Sequence, residues 1–209
     1  MSFLTTLDNL DCEAFLNEFP HLKLLFKETQ SLFISATIVL VLLTRAAGIA
    51  YFGLGVIVVC MLAKKLKRMI RQPRPVGTDK VTYGYVHLLG AGFPCLKRPA
   101  DLSMPSTHSA AITFYAVYII LAANLLPIHP AWHFPSSPYV RVIPSVISLP
   151  WATGVSLSRV GLHHHTMSQV GAGCLLGAIT AGVWFKLWVM GLNQWGAVAE
   201  TGLHNLLGF

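Results

Sequence analysis

Charge is scarce in this chain, and acidic charge scarcest of all. Asp, Glu, Lys and Arg make up only 11% of its 209 residues, less than half the share of an ordinary soluble domain. Apolar residues reach 54%, and mean hydropathy is +0.61. The shortage of charge excludes a soluble globular protein, and the apolar excess excludes a disordered polar tail. Cysteine is sparse too: Cys12, Cys60, Cys95 and Cys174 are scattered, show no metal-ligand spacing and frame no disulfide scaffold. The first 28 residues lack a basic segment ahead of an apolar core, so no signal peptide is expected there. Internal repeats and low-complexity tracts are also missing.

What charge there is has a location. The formal net charge is +7, from 15 Lys and Arg against 8 Asp and Glu. Nine of the basic residues (Lys64, Lys65, Lys67, Arg68, Arg71, Arg74, Lys80, Lys97 and Arg98) fall between Lys64 and His108, where the acids are Asp79 and Asp101. The rest of the chain is net neutral, so one stretch, read as a loop, carries the whole imbalance. Nine cations at about 2.5–3.5 kcal/mol each would cost on the order of 25 kcal/mol in hydrocarbon. The stretch is therefore expected at the membrane interface or lining a polar cavity. Taken alone, it reads as a positive-inside topology signal.

A helix needs about 20 apolar residues to cross roughly 30 Å of hydrocarbon. Ser109 to Leu126, Val142 to Leu157 and Gln169 to Phe185 meet this need or nearly so. The run from Thr29 to Ala63 carries a single charge, Arg45, and as one helix would be about 52 Å long. The charge and the helix-weakening glycine of Arg45-Ala46-Ala47-Gly48 divide it into two short spans joined by a tight turn, with Arg45 at the interface. The expectation is an all-α, polytopic membrane bundle of about five spans. Pro144 and Pro150 are expected to kink the fourth span, and Gly173 with Gly177 to give the fifth a small packing face. In the polar segment 1–28, Leu7, Leu10, Phe15, Phe19, Leu22 and Phe26 recur at helix-like intervals. That segment is read as an interfacial helix, and residues 29–209 as the membrane domain.

Three polar clusters punctuate this plan: Lys67 with Arg74-Pro75, then Pro105-Ser106-Thr107-His108, then Ser158-Arg159 followed by His165 and Gln169. No span separates the first two. The third span leaves their side and the fourth returns, so all three clusters are expected on one face. Lys67, Arg74 and Arg159 are fixed cations suited to a dianionic phosphate, and arginine pairs best with phosphoryl oxygens. Ser106 and the backbone amides opening the third span add neutral donors at a positive helix end. Two histidines, His108 and His165, suit phosphoryl transfer: one imidazole attacks phosphorus while the other protonates the departing oxygen. Stabilisation of the transition state would be mainly electrostatic. The run His163-His164-His165 does not suit one metal ion, because consecutive helical residues point about 100° apart. One catalytic histidine with two bystanders is the expectation, and His21, His87, His129, His133 and His204 are read as ordinary.

Taken in order, these residues resemble the type 2 phosphatidic acid phosphatase (PAP2) family, the membrane relatives of the vanadium haloperoxidases. The family's K-x6-R-P is matched by Lys67, Arg74 and Pro75. P-S-G-H is matched by Pro105, Ser106, Thr107 and His108, and S-R-x5-H-x3-D by Ser158, Arg159, His165 and Gln169. The resemblance implies a haloperoxidase-like helical core, His165 as nucleophile and His108 as general acid. Lys67, Arg74, Ser106, Thr107 (through its backbone) and Arg159 would bind phosphate, with no metal ion or other cofactor. Two positions depart from the pattern: Thr107 stands for Gly, and Gln169 for the Asp that orients the nucleophile. At i+4, Gln169 can still reach His165 and accept from Nδ1–H, though without negative charge.

His165-Thr166-Met167-Ser168-Gln169-Val170 is similar to the H-T-x-x-Q-V of the dolichyl diphosphatase branch, and Met104-Pro105-Ser106 fits that branch as well. The branch implies hydrolysis of dolichyl (polyprenyl) pyrophosphate to the monophosphate on the lumenal face of the endoplasmic reticulum membrane. Arg71, Lys97 and Arg98 would be available to a second phosphate. The lumenal placement runs against the positive-inside rule, which puts the basic stretch in the cytoplasm. Two alternatives stay open: a phosphatase for another lipid phosphate, such as a sphingoid-base phosphate or phosphatidic acid, and a non-catalytic lipid-binding member of the fold. No nucleic-acid partner is expected.

Overall fold

Pro20, whose fixed φ suits a helix start and whose missing N–H leaves no donor unsatisfied, opens α1 (Pro20–Thr44). The computed structural model describes residues 18–72, 103–127, 138–162 and 164–207. Most of the segment read as an interfacial helix lies outside them, and α1 passes position 28 without a break. At Arg45 the chain turns into the left-handed region (φ 52°), and the Arg45 N–H closes on the Val41 carbonyl at 2.8 Å. This is the turn expected between two short spans. α2 (Ala47–Ile70) follows after two residues, and the Ala47 N–H donates to Glu200 Oε1.

α2 does not stop at Ala63, where the apolar run ends. It continues to Ile70, so Lys64, Lys65, Lys67 and Arg68 sit on a helix rather than in a loop. Lysine and arginine are good helix formers, and cations are favoured at a helix C-terminus. α3 (Thr107–Leu125) and α4 (Pro138–Gly161) come next, α4 containing both Pro144 and Pro150. α5 (Met167–Leu187) passes through a π-helical turn at Trp188–Leu192, where Gly191 adopts φ 143°, into α6 (Asn193–Leu207). The helical path thus runs well beyond Phe185, the expected end of the fifth span.

Among the described residues, four helical stretches are long and apolar enough to cross a membrane: α2, α3, Tyr139–Gly161 of α4, and Met167–Leu203. The apolar part of α1, Glu28–Thr44, is shorter. With no strand among the described residues, the expected all-α membrane bundle is what forms. Outward-facing apolar side chains fit a lipid solvent: Leu43 is 77% exposed, Ile147 65% and Met190 72%.

α3 is the central helix, packed on α5, α4 and α2. Its Ala110, Phe114, Tyr115 and Tyr118 join Val56, Val59 and Ala63 of α2 and Ala181 and Phe185 of α5 in the main core. Ile112 and Ala116 face Ala152 and Val155 of α4. A Cβ on Gly173 would strike the Ser106 carbonyl oxygen, and one on Gly177 the Ala110 carbonyl oxygen. Only glycine lets α5 come this close to the start of α3. Further along, Tyr51 stacks on Trp184 with ring centroids 4.7 Å apart. The pair is pinned by reciprocal bonds, Tyr51 O–H to the Trp184 carbonyl at 2.9 Å and Trp184 Nε1–H to the Tyr51 carbonyl at 3.0 Å.

Candidate functional site

The end of α2, the chain entering α3 and the start of α5 are tied together by hydrogen bonds. Arg71 ends α2 in the left-handed region, its N–H on the Lys67 carbonyl at 3.0 Å. The next residue, Gln72, accepts from the Ser103 N–H at 3.0 Å and, through Oε1, from Gln169 Nε2 at 3.4 Å. The Ser106 N–H donates to the Gln169 carbonyl at 3.0 Å. Ser106 is the N-cap of α3, its Oγ accepting from the Ser109 N–H at 3.4 Å and from Ser109 Oγ at 3.1 Å. This cap turns the first amides of α3, and with them Thr107 and His108, toward the site.

α5 opens with a capping box. Thr166 Oγ1 accepts from the Gln169 N–H at 3.4 Å, and Gln169 Oε1 accepts from the Thr166 N–H at 3.1 Å. The same Oε1 lies 3.4 Å from His165 Nδ1 and accepts from Ser103 Oγ at 2.7 Å. Ser103 Oγ is in turn 2.9 Å from His165 Nδ1, so the nearer ring partner is the serine. The His165 backbone N–H donates to the Arg159 carbonyl at 3.1 Å, which ties the residue's main chain to the last turn of α4. Ser103, Gln169, His165 and Arg159 are all buried.

Lys67, Thr107, His108, Arg159 and His165 converge on one cavity of about 1030 Å³. It is lined at this end also by Lys64, His164 and Glu28, and it continues between α1 and α2 along Ile34, Ile38, Leu42, Leu54 and Ile57. Each of the three clusters expected on one face thus contributes to this cavity: Lys67 from the first, Thr107 and His108 from the second, Arg159 and His165 from the third. Ser106 and Gln169 stand buried just behind the cavity wall. Arg74, with Pro75, lies outside the described residues, as does His163. Among the described residues no group of three or more His, Cys, Asp or Glu side chains is placed to hold a metal ion. The chemistry on offer is that of an anion site, with three histidines, two lysines from α2 and one arginine from α4 at one end of a largely apolar cleft.

Sequence reasoning missed Ser103, Gln72, His164 and Glu28. The T-x-x-Q of Thr166 to Gln169 is a legible capping-box pattern. Nothing in the spacing marks Ser103, whose role depends on a contact with a residue 62 positions away. Glu28, the acid on the cavity wall, comes from α1, which bears none of the three clusters.

Comparison with known proteins agrees with this geometry. The chain is 29% identical over 140 residues to the dolichyldiphosphatase of Saccharomyces cerevisiae, covering 67% of this chain and 48% of that protein. It is 26% identical over 155 residues to the chloroplastic lipid phosphate phosphatase epsilon 2 of Arabidopsis thaliana, covering 71% of this chain and 43% of that one. The chain thus spans about half the length of the curated relatives it matches. No solved structure matches it. The model of the PAP2 superfamily matches residues 48–191, from the start of α2 through α5 and so across every part of the cavity's polar end except α1; the chain belongs to that superfamily.

Proposed function

We propose that this protein is a membrane lipid phosphatase that hydrolyses a polyprenyl pyrophosphate of the dolichyl type to the monophosphate and inorganic phosphate. The observation that carries this reading is the shape of the cavity. Its polar end holds Lys67, Arg159, His108 and His165, and most of its remaining lining consists of apolar side chains of α1 and α2. From Lys67 back to Ala50 the cleft follows α2 for 17 residues, or about 25 Å at 1.5 Å per residue. That is most of the thickness of the hydrocarbon core. A phosphate headgroup fits one end and a long hydrocarbon chain the other.

In the proposed reaction, Lys67, Arg74 and Arg159 neutralise the phosphate, with Ser106 and the Thr107 backbone N–H as further donors. His165 Nε2 attacks the terminal phosphorus, the bond to the bridging oxygen breaks, and His108 gives that oxygen its proton as polyprenyl monophosphate leaves. Water then attacks the phosphohistidine, His108 takes back a proton, and the N–P bond breaks to release phosphate. No metal or other cofactor enters the scheme. The dolichyl assignment draws on Gln169 and on the dolichyldiphosphatase relative, and carries with it a site on the lumenal face of the endoplasmic reticulum membrane. A second reading, a phosphatase for a lipid monophosphate, is favoured by the lipid phosphate phosphatase relative.

A panel of lipid phosphates offered to the full chain in detergent micelles separates the two. Dolichyl pyrophosphate is expected to be turned over with the highest kcat/KM, without added divalent metal and undiminished by chelation. Activity is expected to vanish in His165→Ala and His108→Ala. Preference for a monophosphate would move the assignment to the second reading, and full activity in His165→Ala would sink the phosphohistidine mechanism.

A further inference from the structure

Resting on that assignment of His165 as nucleophile, we infer that Ser103 is a positioning residue that fixes the imidazole tautomer. A backbone N–H can only donate, so the Gln169 side-chain atom 3.1 Å from the Thr166 nitrogen must be the amide oxygen. That oxygen has only acceptor capacity, so Ser103, 2.7 Å away, must spend its one hydroxyl proton on it. The Ser103 oxygen then has lone pairs alone to offer His165 Nδ1 at 2.9 Å. Nδ1 must therefore carry the ring proton, and Nε2 is the unprotonated nitrogen of the neutral ring.

The direction of this chain, from Nδ1–H to Ser103 Oγ–H to Gln169 Oε1, is set at its far end by a peptide group that cannot be reversed. Ser103 is fully buried, and its own N–H is held by the Gln72 carbonyl, so water does not compete for the hydroxyl. An aspartate at position 169 would hold the ring by charge. Here a serine inserted between ring and amide does so with neutral groups, and the Gln169 oxygen contacts Nδ1 itself only at 3.4 Å.

The full chain in micelles, assayed against the best substrate of the panel, tests this. In Ser103→Ala, kcat is expected to fall about 10- to 100-fold, as when the partner that orients a working histidine is lost, while KM stays within about threefold. The acid limb of the kcat/KM profile should move to lower pH, because an Nδ1–H without its acceptor stabilises the imidazolium less. Ser103→Cys, nearly the same size but a weaker hydrogen-bonding group, should lie between the two. A Ser103→Ala enzyme with unchanged kcat and pH profile, beside an inactive His165→Ala enzyme, would overturn the positioning role and leave the nucleophile in place. An active His165→Ala enzyme would instead remove the reading on which it rests. The unmodified protein offers a check independent of any variant: ¹⁵N spectra of histidine-labelled enzyme should show His165 protonated at Nδ1, and an Nε2–H tautomer would refute the inference.

Discussion

At position 169 the site holds a neutral amide of the right reach where the family motif carries a carboxylate. Gln169 Oε1 accepts from the Thr166 N–H and the Ser103 hydroxyl and lies 3.4 Å from His165 Nδ1. A single negative charge there would be felt directly by the ring. In Gln169→Glu the acid limb of the kcat/KM profile is expected to move to higher pH, because a carboxylate stabilises the imidazolium and the unprotonated Nε2 needed for attack appears later. A pH–rate series that shows no such upward shift would mean that this side chain is electrically uncoupled from the nucleophile. Lys67, His108, Arg159 and His165 were legible in the sequence because each sits at a fixed spacing within a short motif and carries chemistry unusual beside apolar runs. Ser103 was not, since a lone serine before a helix has many ordinary uses and acquires this one only through contact with α5. That Gln169 Oε1 comes within reach of His165 Nδ1–H was foreseen; the serine that lies nearer to the ring was not.

The bundle's elements were read from hydropathy, and their ends were where local chemistry prevailed. Apolar counting closed α2 at Ala63, yet helix propensity and the favourable placing of cations at a helix C-terminus carry it to Ile70. That extra length is what delivers Lys67 to the cavity. The expected turn at Arg45 did appear, because a charge in an apolar run is a local signal. The contact between α3 and α5 is set by small residues and can be tested one methyl group at a time. At Gly177 a methyl group would meet the backbone of Ala110 and Phe114. Overpacking of this kind costs about 1–3 kcal/mol, against about 1 kcal/mol gained by alanine over glycine in a helix. Gly177→Ala should therefore lower the thermal unfolding midpoint in detergent. Gly182→Ala, where nothing lies within 4 Å of the added atom, should hold or raise it. Equal behaviour of the two variants would refute the close approach of α3 and α5.

As a whole molecule the protein joins a cationic, histidine-bearing end to a cleft of hydrocarbon dimensions. A side chain that fills the cleft should discriminate by chain length without touching the chemistry. Ile57→Trp, on the α2 wall and away from every proposed catalytic group, is expected to raise KM for a long polyprenyl pyrophosphate about fivefold or more, which corresponds to about 1 kcal/mol. A short-chain, water-soluble analogue should be turned over as before. Parallel loss on both substrates would show that the cleft does not hold the chain. The membrane class could be read from composition and apolar runs, and the one-sided assembly of the site from the parity of the spans; the cleft could not, because it belongs to the space between α1 and α2 rather than to any stretch of sequence.

The capping box at the head of α5 has a consequence beyond catalysis. One amide closes the first turn of that helix and also anchors the hydrogen-bond chain reaching His165. Helix ends open with far less free energy than aromatic cores such as the one between α2, α3 and α5. Fraying of that single turn and loss of the ring's alignment are therefore one event, so protection of the α5 amides against hydrogen exchange and the alignment of His165 should be lost together.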